Sequence, residues 1–132
     1  GRLQPAKDDP AYAYYLQWSW FAAATFARPL GEIVNHRREF KPELNDVVAE
    51  MKSRATACVT ALEGALADRP YLLGDTVSAA DLSICYTTRG YRRMVTEALP
   101  DTFQAYFDRV TGLPSYAATV GADAETAKKL KS

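Results

Sequence analysis

Apolar residues recur at three- and four-residue intervals through most of the chain, the spacing that places them on one face of an α-helix. The longest run follows Pro42. Its apolar positions are Leu44, Val47, Val48, Met51, Ala55, Cys58, Val59, Leu62 and Leu66. No segment shows the strict apolar–polar alternation of a half-buried strand. The pattern therefore predicts an all-α protein in which Pro42 opens the second helix.

A first helix is predicted to begin at Asp9 and Pro10, because a carboxylate can cap free backbone N–H groups and proline is tolerated in the first turn. Pro29 lacks an N–H, so we expect a kink within residues 28–31 before the helix ends near His36. The apolar positions form two stripes, and so wide an apolar surface should be covered on more than one side. The stripes are Tyr15, Leu16, Trp20, Ala23 and Ala27, and Tyr14, Trp18, Phe21 and Thr25.

The start of a third helix carries a capping box. Ser78 and Asp81 stand three residues apart, so that each side chain can accept a hydrogen bond from the backbone N–H of the other. Val77 and Leu82 flank the box as a hydrophobic staple, which fixes the angle at which the chain enters the helix. These four residues predict a well-defined helix start.

Turn residues set the remaining helices and the limits of the domain. A fourth helix is predicted from Pro100 and a short fifth helix from Leu113, and the chain turns polar after Gly121 and is expected to fray. The sequence thus predicts a five-helix bundle over residues 10–122, an interdomain linker remnant at residues 1–9 and a polar tail at residues 123–132.

Composition and charge restrict the classes of molecule that this protein is expected to bind. The 132 residues fit one domain, and 48% of them are hydrophobic and 24% charged, as in ordinary soluble proteins. Sixteen basic and sixteen acidic residues cancel, so neither nucleic acid nor a membrane surface is an expected partner. The sequence has no secretory signal and only two cysteines, so we expect a cytoplasmic protein with reduced thiols.

Few residues of the chain have side chains that suit catalysis or metal binding. His36 is the single histidine, so neither a metal site nor a catalytic triad is expected, and a partly exposed position near a helix C-terminus explains it more simply. Cys58 and Cys85 fall on predicted inner faces, where a thiol behaves as a small apolar group. No catalytic residue is therefore predicted in this chain.

Two clusters remain as candidate binding surfaces. The aromatic stripe of Tyr14, Trp18 and Phe21 can line a pocket for an apolar ligand or pack in the core. On the third helix a tyrosine and three arginines stand about a turn apart and could hold a small anion, although a solvated or interface surface is the commoner role of such residues. They are Tyr86, Arg89, Arg92 and Arg93.

Three stretches resemble one family. The segment that opens the sixth helix of glutathione transferases, with its capping box and staple, is similar to Arg69-Pro-Tyr-Leu-Leu-Gly-Asp-Thr-Val-Ser-Ala-Ala-Asp-Leu. The family's fourth helix resembles Tyr15-Leu-Gln-Trp with Phe21 and Pro29, and its last turn motif resembles Leu113-Pro-Ser-Tyr. The resemblance covers nearly the whole chain.

This resemblance implies the α-helical C-terminal domain of a glutathione transferase, which in the family packs on an N-terminal thioredoxin-like domain and lines much of the site for a hydrophobic electrophile. The thiol-activating Tyr, Ser or Cys belongs to that first domain, so this chain alone is expected to be inactive. Gly1-Arg-Leu resembles the residues before the interdomain linker. Glutathione would be a co-substrate rather than a tightly bound cofactor, and the implied role is detoxification by a homodimer.

Position in the family's helices implies roles for particular residues. Arg28 is expected to reach a carboxylate of glutathione. The capping box and staple are assigned to folding. The residues expected to contact the electrophile are Tyr14, Trp18, Phe21, Thr25, Tyr86 and Arg89.

A non-catalytic helical docking module of the same fold is the alternative, in which the wide apolar first helix would bind a protein partner. The two hypotheses differ in what is encoded upstream of residue 1. A thioredoxin-like sequence there would support the enzyme, and a start near residue 1 would support the docking module. A helical nucleic-acid-binding protein is disfavoured by the zero net charge.

Overall fold

The computed structural model describes residues 3–95 and 97–130. Their helices are α1 (Ala11–Trp20), a π-helical segment (Phe21–Phe26), α2 (Ala27–Glu39), α3 (Asn45–Ala65), α4 (Ala79–Met94), α5 (Asp101–Thr111) and α6 (Pro114–Lys129). Because α1, the π-helical segment and α2 are continuous, these residues form five helical rods, which confirms the predicted all-α five-helix bundle. None of these helices is long and apolar enough to cross a membrane.

The first rod deviates from the predicted kink. Its irregularity lies at Phe21–Phe26, before the expected residues 28–31, and takes the form of wider π-helical turns. A proline ring clashes with the carbonyl of the residue four positions earlier, which for Pro29 is Thr25, inside the π-helical segment. We infer that the wider turns relieve this clash, so that α2 is regular and continues to Glu39, slightly beyond the expected end.

The start of this rod is not covered on more than one side, contrary to the expectation from its apolar surface. No residue of α1 is buried, and Tyr14, Leu16 and Trp20 are exposed. Burial begins in the π-helical segment, at Ala22 and Phe26, and continues in α2. The reason is that α1 packs mainly on α4 among the other rods, which leaves members of both stripes exposed.

The central rod of the bundle is α4, which contacts α1, the π-helical segment, α2 and α5. The ring of Tyr91 lies 5.9 Å from the ring of Phe26, so an aromatic contact joins α4 to the first rod. On the other side Phe103 and Tyr106 of α5 complete the core. The buried residues of α4 are Ala80, Asp81, Ile84, Cys85, Thr88 and Tyr91.

The predicted capping box forms at the start of α4. Oδ2 of Asp81 accepts hydrogen bonds from the backbone N–H of Ser78 at 2.7 Å and from the Ser78 hydroxyl at 2.6 Å. Oδ1 accepts from the backbone N–H of Leu72 at 2.9 Å and from the Tyr106 hydroxyl at 3.0 Å. Asp81 is fully buried, so all four bonds are shielded from water. One carboxylate therefore joins the turn before α4, α4 itself and α5.

Contacts from other parts of the chain also fix helix starts. The carbonyl of Leu3 accepts a hydrogen bond from the N–H of Ala79 at 2.8 Å, which holds the beginning of the described chain against α4. Glu63 on α3 accepts a hydrogen bond from the N–H of Phe103 at 2.7 Å and so caps α5 from a neighbouring rod. The staple residue Leu82 packs against the core cluster.

Two helix ends differ from the predicted ones. α3 begins at Asn45, because residues 40–44 form a loop that includes Pro42. α6 extends through Lys129, past the point at which a fraying tail is expected, because its alanines, glutamate and lysines favour helix despite their polarity. Residues 1 and 2 of the predicted linker and residues 131 and 132 of the predicted tail lie outside the described residues.

Candidate functional site

The first rod presents two flanks beside its buried face. Ala22 and Phe26 point into the core and separate these flanks. One flank faces α3 and the other faces α4, and each contains a cavity open to solvent. The predicted site residues divide between them.

The flank toward α3 holds a groove of about 660 Å³, here the α3 groove. Three predicted site residues line it, namely Phe21, Thr25 and Arg28. The Arg28 side chain is 77% exposed and approaches Glu32 only to 4.0 Å, so a ligand carboxylate could replace this weak pairing. The other lining residues are Ala24, Pro29, Glu32, His36, Met51, Arg54, Ala57, Cys58 and Ala61.

The flank toward α4 holds two adjoining cavities, whose linings share Ala27, Tyr86 and Thr87. We refer to the two cavities together as the α4 crevice. Tyr86 is 69% exposed and stands at the opening. The cavity of about 560 Å³ is also lined by Ser19, Ala22, Ala23, Leu82 and Ser83. The cavity of about 300 Å³ is also lined by Leu30, Arg89, Gly90, Arg93 and Asp123.

The structure therefore brings the predicted site residues together only in part. Phe21, Thr25 and Arg28 meet in the α3 groove, whereas Tyr86 and Arg89 meet in the α4 crevice. A prediction based on regular α-helical spacing assumes a constant rotation per residue. The π-helical segment changes that rotation inside the stripe. Phe21, Thr25 and Arg28 nevertheless line one groove, and that groove faces α3, whereas Tyr86 and Arg89 belong to α4 on the other flank.

The two remaining aromatic residues of the predicted site lie on α1. Tyr14 is 61% exposed. Trp18 is half-buried and packs edge-on against Phe21, with ring centroids 5.4 Å apart and planes at 70°. Trp18 thus supports the wall of the α3 groove through Phe21, while Tyr14 is available to a partner.

The serine and threonine residues of the α4 crevice, Ser19, Ser83 and Thr87, are absent from the predicted set. The Ser19 and Ser83 hydroxyls donate to carbonyls of their own helices, so they present little polarity to a ligand. The sequence signal for this crevice is the run of small residues that includes Ala22 and Ala23. Small side chains on one rod leave room beside a neighbouring rod.

Neither cysteine is activated as a nucleophile. Cys85 is fully buried, and burial raises its pKa from 9.0 to about 12. Cys58 borders the α3 groove but is only 8% exposed, and burial raises its pKa as well. A thiol with a raised pKa holds little of the thiolate that attacks electrophiles at neutral pH. The predicted inner positions of both cysteines are confirmed.

His36 lies in the last turn of α2 and is half-buried, in agreement with the predicted partly exposed position. Its Nδ1 lies 2.9 Å from the carbonyl oxygen of Glu32, and its ring stacks on Phe40 with centroids 5.4 Å apart. Over residues 3–95 and 97–130, no group of three or more His, Cys, Asp or Glu side chains is arranged to hold a metal ion.

A family model described as glutathione S-transferase, C-terminal domain, matches residues 45–114. The match covers more than half of the chain and includes α3, α4 and α5 with the capping box. The chain belongs to the glutathione S-transferase C-terminal domain family. The family that the sequence motifs indicate is thereby confirmed, and the central rod α4 of this glutathione S-transferase domain begins at the motif that carries the resemblance.

Solved glutathione transferases share the fold of this domain. The glutathione transferase URE2P8 from Phanerochaete chrysosporium, crystallised with oxidized glutathione, is 17% identical with a TM-score of 0.86, over 96% of this chain and 59% of that chain. BphK, a bacterial GST solved as a ternary complex, is 20% identical with a TM-score of 0.80, over 93% of this chain and 60% of that chain. Gtt2 from Saccharomyces cerevisiae is 16% identical with a TM-score of 0.70, over 88% of this chain and 60% of that chain.

The glutathione S-transferase domain spans about three-fifths of the length of these structures. At such low identities the likeness concerns the fold. No curated protein sequence matches the chain.

Proposed function

We propose that this domain is the electrophile-binding part of an enzyme that conjugates glutathione to electrophilic compounds. A thioredoxin-like N-terminal domain of the same protein binds and activates the glutathione thiol, and glutathione is a co-substrate. The thiolate sulfur attacks an electrophilic carbon, a C–S bond forms and the leaving group departs, while the helical domain contributes proximity and an apolar wall. The proposal rests on the apolar surface beside the α4 crevice, which no described residue covers.

That surface extends from α1 to α4. Leu16 and Trp20 are exposed on α1, and Tyr86 is exposed on α4. Leu16 lies one helical turn from Ser19 and from Trp20, so these side chains follow the side of the rod that lines the crevice. Exposed apolar patches of this kind mark surfaces for a partner or a ligand. A domain seated on Leu16 and Trp20 would close one side of the crevice and leave Tyr86 beside the reacting thiol.

The α3 groove is the second candidate wall. The proposed contacts of Phe21 and Thr25 with the electrophile, with Trp18 behind Phe21, require a substrate on this flank, whereas those of Tyr86 and Arg89 require it in the α4 crevice. Tyr14 lines neither cavity. A small electrophile cannot touch both flanks, because buried side chains lie between them. We assign the electrophile to the α4 crevice. The expected contact of Arg28 with a carboxylate of glutathione then requires the tripeptide to reach from the crevice around the first rod to the α3 groove, where the weak ion pair of Arg28 leaves its guanidinium available.

The test requires the coding sequence upstream of residue 1. The enzyme assayed is the protein expressed from the complete coding sequence. Conjugation of glutathione with 1-chloro-2,4-dinitrobenzene is followed by absorbance. Tyr86→Ala is expected to raise KM for the electrophile about five- to tenfold and to leave KM for glutathione unchanged. Arg28→Gln is expected to raise KM for glutathione instead. Val34→Ala, an exposed apolar position on α2 outside both cavities, is the control.

Phe21→Ala separates the two flanks. A raised electrophile KM in Phe21→Ala together with no change in Tyr86→Ala would contradict the assignment to the α4 crevice and favour the α3 groove. An upstream sequence without a thioredoxin-like domain, and a product without conjugating activity, would contradict the transferase proposal and favour the docking module. The 132-residue chain alone is expected to be inactive, and turnover by it would contradict the placement of thiol activation in another domain.

A cytoplasmic homodimer with a detoxifying role completes the proposal. Tyr14 and Trp20 are more than half exposed, so we expect the isolated domain to associate with itself through this apolar surface. Sedimentation velocity at increasing protein concentration tests this expectation. A single monomeric species throughout would contradict it.

A further inference from the structure

Residues 3–9, the described part of the predicted linker, run between the first turns of two helices, and we refer to them as the linker segment. At one end the carbonyl of Leu3 accepts a hydrogen bond from the N–H of Ala79, the first residue of α4, at 2.8 Å. At the other end Oδ1 of Asp9 accepts from the N–H of Ala11, the first residue of α1, at 2.8 Å. The segment therefore connects the start of α1 to the start of α4.

The linker segment has little burial between these ends. Pro5 is half-buried, and the rest of the segment is exposed. A turn closes between Ala6 and Asp9, whose N–H donates to the Ala6 carbonyl at 3.0 Å. Segments with few buried apolar contacts open locally at a low cost in free energy. The attachment of Leu3 to α4 therefore depends mainly on the hydrogen bond to Ala79.

The N–H of Ala79 is available because of its place in the helix. The first N–H groups of a helix have no carbonyl one turn earlier to accept from them. The capping box provides acceptors for the N–H groups of Ser78 and Asp81 but not for that of Ala79. The same turn is held in place by the fully buried carboxylate of Asp81. Leu3 is thus attached to a fixed point on the central rod.

We propose that the linker segment is a releasable clamp. When it is bound to Ala79, it holds the part of the protein that precedes residue 3 against α4, and when it is released, that part can move relative to the bundle. A hydrogen bond of this kind favours the bound state by roughly two- to tenfold. Both states are therefore populated, and a small perturbation at this contact changes their ratio.

The clamp has a consequence for the α4 crevice, and this consequence rests on the proposed function. The segment joins α1 to α4, the same two helices that carry Leu16, Trp20 and Tyr86, the apolar surface on which an N-terminal domain is proposed to sit. Release of Leu3 would let that domain move away from the crevice and open its uncovered side. The attachment of the segment to Ala79 does not depend on the transferase proposal.

Ala79→Pro removes the donor and retains a residue that suits the first position of a helix. Ser78 before it has φ −120° and ψ 170°, an extended conformation that suits a residue preceding proline. NMR relaxation of the 132-residue chain gives the amide order parameters of Gln4, Ala6 and Lys7. They are expected to fall from about 0.8 to below about 0.6 in Ala79→Pro. Ala79→Ser, which keeps the N–H, is the matched control and should leave them unchanged.

The N–H of Ala79 provides a second measurement, which needs no variant. Bound to Leu3, it should exchange with solvent about three- to tenfold more slowly than in an unstructured chain, whereas without an acceptor it should exchange at nearly the unstructured rate. Circular dichroism checks the helix content of each variant. Exchange of the Ala79 N–H at the unstructured rate, or order parameters that a folded Ala79→Pro variant leaves unchanged, would overturn the clamp.

The protein expressed from the complete coding sequence tests the effect on the crevice. Ala79→Pro is expected to raise KM for 1-chloro-2,4-dinitrobenzene about two- to tenfold, because the closed state loses the preference that the hydrogen bond supplies, and Ala79→Ser should leave KM unchanged. An active Ala79→Pro enzyme with unchanged KM would overturn the coupling to the crevice. A complete protein without conjugating activity would contradict the proposed function, whereas the order parameters test the clamp separately.

Discussion

Replacement of Asp81 by alanine should be the most destabilising single change in α4. This carboxylate does more than cap the helix, because it also accepts hydrogen bonds from the N–H of Leu72 and from the hydroxyl of Tyr106. Asp81→Ala removes every one of these acceptors at once. No water can replace them, since the site is fully buried.

The expected loss of unfolding free energy follows from these contacts. A helix N-cap alone contributes about 0.5–2 kcal/mol. Each buried donor left without its acceptor, here the Leu72 N–H and the Tyr106 hydroxyl, adds about 1–3 kcal/mol. These contributions add up to an expected loss of about 2.5–8 kcal/mol, which is a large part of the 5–15 kcal/mol typical of a domain. Ser78→Ala should cost only about 0.5–2 kcal/mol, because the carboxylate keeps its other partners.

Urea unfolding followed by far-UV circular dichroism measures these losses. Repeating it at two protein concentrations separates stability from self-association. Tyr106→Phe removes one donor, stays well packed and should cost about 1 kcal/mol, so it reports on the contact between rods even if Asp81→Ala fails to fold. If Asp81→Ala and Ser78→Ala unfold at the same urea concentration, the contacts to Leu72 and Tyr106 carry no energy and the reasoning is wrong.

Three further changes test other parts of the bundle. Glu63→Ala removes the carboxylate that caps α5 from α3 and should cost about 0.5–2 kcal/mol in urea unfolding, whereas Glu50→Ala on the exposed side of α3 should cost about 0.5 kcal/mol or less. Gly74→Ala should cost about 1–2 kcal/mol by the same measurement, because φ is +114° there, and a loss near zero would contradict a backbone origin. Burial raises the pKa values of Cys85, from 9.0 to about 12, and of Tyr106, so both groups stabilise the fold fully below pH 9. The free energy of unfolding should therefore fall as the pH rises from about 9 toward 12, by about 1.4 kcal/mol per pH unit for each group above its unfolded pKa. A free energy of unfolding that stays constant over this range would contradict the burial of both groups.

Helix starts could be predicted from the sequence where the determining contacts are local. Ser78 and Asp81 are three residues apart, so their capping box depends on little beyond the turn that contains them. The same sequence does not reveal that Asp81 also bonds to residues 9 and 25 positions away. Those partners follow from the packing of α5 and of the turn before α4. A local motif therefore identifies the residue but underestimates the energy that depends on it.

The candidate site could be predicted only in part for a related reason. Assigning residues to the faces of the first helix assumes regular α-helical turns from Tyr14 onward. The sequence does contain a signal of irregularity, Pro29, but a proline acts on the turn before it, and Phe26 at the end of the wider turns packs against Tyr91 of α4. That contact joins residues 65 positions apart. The choice of which face of the first rod meets α3 and which meets α4 thus depends on packing between rods, and the predicted pocket separates into two flanks because Phe21, Thr25 and Arg28 face α3 whereas Tyr86 and Arg89 lie on α4.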